Sequence, residues 1–121
     1  MVGIGPGNPL DRTRRAENAI AGSDVVVGYA RYIDAIADLT AGKEVIRSGM
    51  RHEVERVRES LRLASSGRAV ALVSSGDPGI YGMAGLALEL AREMKLDLPV
   101  DIIPGVTAAS AAAAALGAPL M

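Results

Sequence analysis

Short apolar runs alternate along the chain with longer segments in which apolar side chains recur every three or four residues. Runs that are rich in β-branched residues and bounded by glycine or proline are typical of strands buried on both faces. Apolar positions at helical spacing indicate amphipathic helices between those strands. The pattern predicts five strands, at residues 2–4, 24–28, 44–46, 69–73 and 99–103.

A predicted helix follows each of these strands. The first helix is capped by Asp11 and ends at Gly22, and the last runs through an Ala-rich segment to Gly117. Strands that alternate with helices predict an α/β fold in three layers, with a five-stranded parallel sheet flanked by helices. The length of 121 residues fits a single domain over 1–121.

Composition narrows the classes of function. Phe, Trp and Cys are absent, so the core is aliphatic, and disulfides, thiolate nucleophiles and cysteine metal sites are excluded. A single histidine argues against zinc, and we expect no metal site. The net charge of −1 and the scarcity of aromatic residues disfavour nucleic-acid binding. No apolar run approaches the roughly 18 residues of a membrane helix, and no basic segment precedes the first run, so we expect a cytoplasmic protein that does not associate with membranes.

Three loops that follow predicted strands are rich in glycine and proline, at residues 5–9, 74–79 and 104–108. Because the loops after parallel strands meet at one edge of a sheet, where ligands of such sheets bind, these loops predict a small-molecule site. Asp77 either caps the following helix or accepts hydrogen bonds from a ligand. Thr107 either caps the last helix or contributes to the site.

A dinucleotide-binding oxidoreductase is an alternative, since Gly3, Gly5 and Gly7 surround the end of the first strand. The third glycine of that fingerprint is replaced by Leu10, however. The second strand ends at Tyr29 instead of at an acidic residue that would bind a ribose. Both departures disfavour this interpretation.

No general acid–base pair stands out in the sequence. The ionisable residues Lys43, His52 and Lys95 lie in polar stretches and are predicted to lie at the surface. The helix predicted at 51–66 carries a run of charges that we interpret as a solvated face: Glu55, Arg56, Arg58, Glu59 and Arg62. A reaction carried by an activated cofactor needs no acid–base pair.

Three motifs occur in order along the chain: Val2-Gly3-Ile4-Gly5-Pro6-Gly7, then Ser75-Gly76-Asp77-Pro78-Gly79-Ile80-Tyr81-Gly82, then Pro104-Gly105-Val106-Thr107-Ala108-Ala109-Ser110. With these motifs the chain resembles, over essentially its whole length, the amino-terminal domain of the tetrapyrrole methylases. That family uses S-adenosylmethionine to build cobalamin and sirohaem. The resemblance implies S-adenosylmethionine as the methyl donor and a sheet order of 3-2-4-1-5.

Within the family, the chain resembles the precorrin-3B C(17)-methyltransferase branch. The similar residues are the segments 24–29, 32–33, 48–50 and 81–85, with Glu53 and Arg56. The implied reaction moves a methyl group to carbon 17 of precorrin-3B, or of its cobalt-containing counterpart, with contraction of the macrocycle. A methylase of precorrin-4, precorrin-2 or uroporphyrinogen III and a non-catalytic isolated domain remain as alternatives.

The resemblance also implies a set of site residues. The cofactor-binding residues are Pro6, Ser75, Gly76, Asp77, Ile80, Thr107 and Ala108, and the residues of the substrate cleft are Gly5, Gly7 and Asn8. Many relatives carry Asp where this chain has Asn8. Uroporphyrinogen methylases carry an acid–base Asp where it has Tyr29, so we assign no catalytic base.

Members of the family have a second α/β domain, and the cofactor and substrate lie between the two domains. We expect that second domain to lie outside these 121 residues. The full-length protein is expected to be a homodimer that acts on a tetrapyrrole. The isolated chain is expected to bind the cofactor weakly or not at all and to be inactive.

Overall fold

The computed structural model describes residues 1–80 and 82–121, so Tyr81 of the second motif lies outside the described residues. Strands and helices alternate along the chain. The strands are β1 (Val2–Gly3), β2 (Val25–Tyr29), β3 (Glu44–Ser48) and β4 (Val70–Ser74). The α-helices are α1 (Arg14–Ala21), α2 (Ala30–Ala35), α3 (Glu53–Ser65), α4 (Ala84–Glu93) and α5 (Ala108–Leu116), with 3₁₀ turns at Pro9–Asp11 and Ala37–Leu39.

All strand pairs in the sheet are parallel, and the order is β1-β4-β2-β3. Viewed from the opposite edge, this is the 3-2-4-1 part of the expected order. The central strand β2 pairs with β4 through Val25 opposite Val70 and with β3 through Val25 opposite Glu44. The predicted α/β fold with a parallel sheet flanked by helices is therefore confirmed.

The prediction of a fifth strand at 99–103 is wrong. In the described residues this segment makes one bridge, between Ile103 and Val2 beside β1. The Ile103 N–H donates to the Met1 carbonyl oxygen at 2.8 Å, and the Gly3 N–H donates to the Ile103 carbonyl oxygen at 3.0 Å. Pairing does not extend because β1 has only two residues, and the flanking Pro99 has no N–H to donate.

Two aliphatic layers cover the two faces of the sheet. Side chains of β2 alternate between them: Val26 packs with α1 and α2, whereas Val25 and Val27 pack with α3 and α4. The first layer includes Ile20, Ile33, Ile36 and Val73, and the second includes Val57, Leu61, Leu72 and Leu90. The central strand is therefore buried on both faces, as its uniformly apolar sequence predicted.

Local capping differs from the prediction at the first helix. Thr13, not Asp11, caps α1, and its Oγ1 accepts a hydrogen bond from the Ala16 N–H at 3.0 Å. Asp11 instead ends the preceding 3₁₀ turn. Lys43, predicted at the surface, is half-buried, because its Nζ donates to two carbonyl oxygens at the end of α1, those of Ala21 at 2.9 Å and Ser23 at 2.7 Å. A lysine at a helix carboxyl terminus complements the helix dipole there.

The last helix, α5, differs from the other four because none of its residues is buried. It ends as predicted at Gly117, whose φ of 66° is readily adopted only by glycine. Among the described residues, no helix is both long and apolar enough to cross a membrane.

Candidate functional site

The three glycine-rich loops meet at the carboxyl edge of the sheet, as predicted. The Gly5 N–H donates to the Gly76 carbonyl oxygen at 3.2 Å, and the Gly76 N–H donates to the Gly5 carbonyl oxygen at 2.8 Å. A Cβ built on Gly3 would lie 2.6 Å from the Gly76 oxygen, and a Cβ on Gly105 would collide with the same atom. Glycine at these positions therefore lets the loops pack backbone against backbone.

Asp77 holds two of these loops together. Its Oδ1 accepts a hydrogen bond from the Gly105 N–H at 3.0 Å, and its Oδ2 accepts one from the Gly79 N–H at 2.9 Å. Hydrogen bonds from amides to a carboxylate are stronger than those between neutral groups. The two alternatives for Asp77 were a cap or a ligand partner, and the observed bonds give the carboxylate a structural role between the β4 loop and the segment before α5.

A cleft of about 390 Å³ opens beside these loops. One wall is formed by the end of β4 and the residues after it, and another by the start of α5, while α2 and α3 each contribute side chains. The lining residues are Tyr32, Glu53, Arg56, Ser74, Ser75, Gly76, Ile80, Gly82, Met83, Thr107, Ala108 and Ala109.

Five of the seven residues predicted to bind a cofactor line this cleft: Ser75, Gly76, Ile80, Thr107 and Ala108. Most of them present small side chains or backbone, while Ile80 is 48% exposed and offers an apolar surface. Gly76 has φ of 60°, a conformation that brings its backbone close to α5. The structure brings these five residues together although they come from two separate loops.

The other predicted site residues lie outside the cleft wall. Asp77 is adjacent but faces the backbone amides described above, and the predicted substrate residues Gly5, Gly7 and Asn8 lie with Pro6 on the first loop. Pro6, Gly7 and Asn8 are exposed, whereas Gly5 is buried against the β4 loop. The Asn8 Oδ1 caps the following 3₁₀ turn by accepting a hydrogen bond from the Leu10 N–H at 2.9 Å.

Thr107 lines the cleft and also caps α5. Its Oγ1 accepts a hydrogen bond from the Ala109 N–H at 3.4 Å, and its backbone is extended, as is usual for an N-cap residue. The two roles that the sequence left open are therefore compatible. The hydroxyl fixes the start of the helix while the residue remains part of the cleft surface.

Arg56 lines the cleft and is buried, so the prediction that it lies on a solvated face of the helix is wrong. Only 6% of it is exposed, and it lies on the same side of α3 as the buried Val57 and Ser60. Its Nη1 donates to the Ser48 Oγ and to the Gly49 carbonyl oxygen, both at 2.9 Å. The signal in the sequence was its position next to the apolar stripe of α3, which places it at the boundary of the core.

A second buried guanidinium, that of Arg12, lies where the first loop leads into α1. It donates to both carboxylate oxygens of Asp38, from Nη1 at 3.0 Å and from Nη2 at 2.7 Å, and Nη2 also lies 3.2 Å from the Glu17 Oε2. Hydrogen bonding to Arg12, helped by the charge, lowers the pKa of Asp38, and the same contact raises the pKa of Arg12. This network fixes the first loop against the Ala37–Leu39 turn.

Another cavity, of about 380 Å³, lies at the opposite edge of the sheet, near the amino ends of β1 and β4. Its lining includes Val57, Leu61, Leu98 and Val100. Ligands of open parallel sheets bind at the carboxyl ends of the strands, so the cleft beside Ser75 is the better candidate.

The polar groups of the cleft are suited to binding a ligand. Among the described lining residues they are the guanidinium of Arg56, the carboxylate of Glu53, and hydroxyls such as those of Ser75 and Thr107. Such a surface can orient a reactive cofactor and its acceptor without making a covalent bond itself.

Comparison with known proteins agrees with this description. The model of the family described as Tetrapyrrole (Corrin/Porphyrin) Methylases matches residues 1–121. A probable cobalt-factor III C(17)-methyltransferase of Salmonella typhimurium is 50% identical over 121 residues, which are 100% of this chain and 50% of that protein. A protein of the same name from Methanothermobacter thermautotrophicus is 52% identical over 120 residues, 99% of this chain and 34% of that protein.

Among solved structures, the crystal structure of the methyltransferase CobJ superposes with a TM-score of 0.90 at 38% identity. The match covers 98% of this chain and 50% of that one. The chain thus spans about half the length of the Salmonella relative and of the CobJ structure.

Proposed function

Since this chain belongs to the tetrapyrrole methylase family, we propose that it forms the cofactor-binding part of an S-adenosylmethionine-dependent methyltransferase of cobalamin biosynthesis. The observation that carries the proposal is the cleft at the carboxyl edge of the sheet. Two of its walls come from the motifs at 75–80 and 104–110, the latter through residues 107–109, and side chains of α2 and α3 complete the lining.

The residues of the cleft fit S-adenosylmethionine in size and chemistry. The backbone of Ser75 and Gly76 and the start of α5 at Thr107 and Ala108 offer amide and carbonyl groups beside small side chains. Ile80 offers an apolar surface for the flat part of a nucleoside. Pro6 and Asp77 complete the proposed cofactor-binding residues, and Asp77 also joins the two loops that hold the cofactor.

When bound, S-adenosylmethionine supplies an electrophilic methyl group, so the protein itself needs no nucleophile. In this proposal the residues of this chain bind the cofactor and orient it. The Gly5–Gly76 hydrogen bonds and the carboxylate of Asp77 fix the loop positions before the ligand arrives, which lowers the entropic cost of binding. The substrate cleft in this proposal includes Gly5, Gly7 and Asn8: the exposed Gly7 and Asn8 contact the tetrapyrrole, and the buried Gly5 positions their loop.

The acceptor that we propose is carbon 17 of precorrin-3B or of its cobalt-containing counterpart, with ring contraction. The names of the Salmonella and Methanothermobacter relatives support this choice, at 50% and 52% identity. Precorrin-4, precorrin-2 and uroporphyrinogen III are the acceptors to test against it. The full-length protein is proposed to be a cytoplasmic homodimer in which a second domain, beyond residues 1–121, closes the cleft.

A substitution on α5 tests the cofactor site directly. Ala108→Phe places a large side chain on the cleft wall, whereas Ala112→Phe places the same group one turn further along α5, where the residue is exposed and outside the cleft. We expect Ala108→Phe to weaken binding of S-adenosylhomocysteine at least about tenfold in calorimetric titration of the full-length protein, a loss of about 1.4 kcal/mol. Ala112→Phe should bind as wild type does.

Equal binding by both variants would place the cofactor elsewhere. Preference of the wild-type protein for NAD over S-adenosylhomocysteine would support the oxidoreductase alternative instead. Incubation of the full-length enzyme with S-adenosylmethionine and each acceptor in turn, with mass spectrometry of the product, tests the proposed substrate. A methylated product from uroporphyrinogen III alone would contradict the C(17) proposal.

A further inference from the structure

Arg56 lies in the first turn of α3 and lines the cleft together with Glu53. Only 6% of its side chain is exposed, which is unusual for an arginine without a full ion pair. The burial of a charged group costs free energy unless opposite charge or strong hydrogen bonds compensate it. The contacts of Arg56 therefore indicate whether the fold itself uses the charge.

The fold balances this charge incompletely. Both hydrogen bonds of Nη1 go to neutral oxygens, the Ser48 Oγ and the Gly49 carbonyl. The nearest carboxylate in an ion pair is that of Glu53, but its Oε1 lies 3.9 Å from Nη2, beyond hydrogen-bond range, and Glu53 is half exposed. The Nε is buried and has no acceptor among the described residues.

We propose that Arg56 is the residue of this cleft that binds a ligand carboxylate. The inference rests on the proposed function, and it assigns to Arg56 a contact that neither the motifs nor the family comparison specifies. A guanidinium with an unpaired Nε and a second edge not satisfied by the fold is suited to a planar anion, since it donates two parallel hydrogen bonds.

The chemistry of the proposed ligands favours a carboxylate over a phosphate. The amino-acid part of S-adenosylmethionine ends in a carboxylate, and tetrapyrrole intermediates carry carboxylate side chains, while neither has a phosphate. Arg56 also lies in the amino-terminal turn of a 13-residue helix, where the helix dipole adds a favourable potential for an anion. Arg56 would bind the carboxylate of the cofactor and that of the tetrapyrrole in the same way, so binding measurements are needed to tell which one it binds.

Arg56 could instead serve only to hold the loop between β3 and α3 through Ser48 and Gly49. A purely structural role would weaken every ligand alike when the arginine is removed. A carboxylate-binding role would weaken only those ligands that carry the carboxylate. This difference separates the two roles even where a variant also loses some stability.

The experiment measures three dissociation constants on the full-length protein and its Arg56→Met variant. The probes are S-adenosylhomocysteine, its analogue without the α-carboxylate, and uroporphyrin III, followed by calorimetry or fluorescence quenching. Arg58→Met, which changes an exposed arginine of the same helix, is the matched control. We expect a loss of at least about tenfold for a carboxylate-bearing probe, with the carboxylate-free analogue and the control unaffected.

A loss confined to S-adenosylhomocysteine assigns the carboxylate to the cofactor, and a loss confined to uroporphyrin assigns it to the substrate. Unchanged affinity for both, or equal loss for all three probes, overturns the inference. Wild-type protein that binds none of the probes overturns the proposed function together with the inference.

Arg56→Lys keeps the experiment decisive if Arg56→Met does not fold. Lysine keeps the charge but lacks the planar fork, so carboxylate probes should bind roughly three- to tenfold more weakly, again without change for the carboxylate-free analogue. Lysine that binds every probe as arginine does would also overturn the inference.

Discussion

Arg12 and Arg56 are both buried arginines, and each has an Nε without an acceptor among the described residues. Their remaining contacts differ. Arg12 binds two carboxylates, with a bidentate contact to Asp38 and a second to Glu17. Arg56 donates its hydrogen bonds to a hydroxyl and a carbonyl, and the carboxylate of Glu53 lies 3.9 Å away.

The charge of Arg12 is neutralised by carboxylates of the fold itself, whereas the charge of Arg56 remains without a hydrogen-bonded carboxylate. Arg12 joins three segments of the chain and raises stability through charge-assisted hydrogen bonds. Arg56 lies beside the cleft and keeps a positive potential there, because no carboxylate fully neutralises it. Burial alone thus does not show whether an arginine is structural, whereas the charge of its partners does.

We expect the largest loss of stability when both carboxylate partners of Arg12 are removed, so that its partners become neutral like those of Arg56. The double variant Glu17→Gln with Asp38→Asn removes both carboxylates and leaves the guanidinium buried beside neutral amides. We expect the free energy of unfolding to fall by about 2 kcal/mol, because an unpaired buried charge loses its compensation. Chemical denaturation of the full-length protein measures this change.

A matched control removes the carboxylates of two exposed ion pairs, Arg47–Asp34 and Arg68–Glu44, in the variant Asp34→Asn with Glu44→Gln. Exposed pairs contribute little, so the loss should stay below about 1 kcal/mol. If both double variants lose the same free energy of unfolding, the buried ion pairs of Arg12 contribute no more to stability than exposed pairs do.

A smaller change in stability is expected when the pH is lowered. The pKa of Asp38 is lowered below its ordinary value of 3.8, mainly by hydrogen bonding to Arg12, so the folded state favours the ionised form. The Arg12–Asp38 contribution is therefore complete above pH 3.8 and is lost as the pH falls through the lowered pKa. Because Asp38 is 58% exposed and screened by water, we expect about 1 kcal/mol.

The measurement compares wild type with Asp38→Asn by denaturation at about pH 6 and about pH 2.5. Wild type should be more stable than Asp38→Asn at the higher pH, and this difference should be smaller at the lower pH, because Asp38 begins to take up a proton there. A difference as large at the lower pH as at the higher one would show that the carboxylate charge is not its cause.

The smallest effect concerns Glu53, whose carboxylate is the distant partner of Arg56. Glu53→Gln should raise affinity for the carboxylate-bearing probe that Arg56 binds by about twofold, or about 0.4 kcal/mol, because a competing negative charge is removed from the cleft. Glu55→Gln, an exposed change on the same helix, should have no effect in the same titration. Weaker binding by Glu53→Gln would show that Glu53 itself contacts the ligand.

Most of the sheet was predictable from the sequence, because strands buried on both faces are uniformly apolar. Residues 25–27 of β2 and 71–73 of β4 show this signal directly. The segment 99–103 carries similar residues but lies beside a strand of two residues, and only Ile103 forms a bridge. Strand formation there depends on the length of a partner, which local sequence does not encode.

The positions of the loops around the site were predictable from the sequence, whereas the partners of its charged side chains were less so. The loops rich in glycine were predicted to meet at one edge of the sheet, and the structure shows them in contact through Gly3, Gly76 and Gly105. The carboxylate of Asp77 faces Gly105, 28 residues away in sequence, so its partner depended on the tertiary fold. Arg56 was missed because a run of alternating charges usually faces water, whereas the rotation of α3 about its axis turns this one residue inward.

The contact between Gly3, Gly76 and Gly105 also limits how this domain can evolve. A methyl group at Gly3 or Gly105 would strike the same carbonyl oxygen, so neither position accepts any side chain. Ile80 meets no such barrier, because its side chain lines the cleft and is 48% exposed. A change at Ile80 therefore alters the surface of the cleft without disturbing the contact between the loops, whereas a change at Gly3 or Gly105 forces the loops apart.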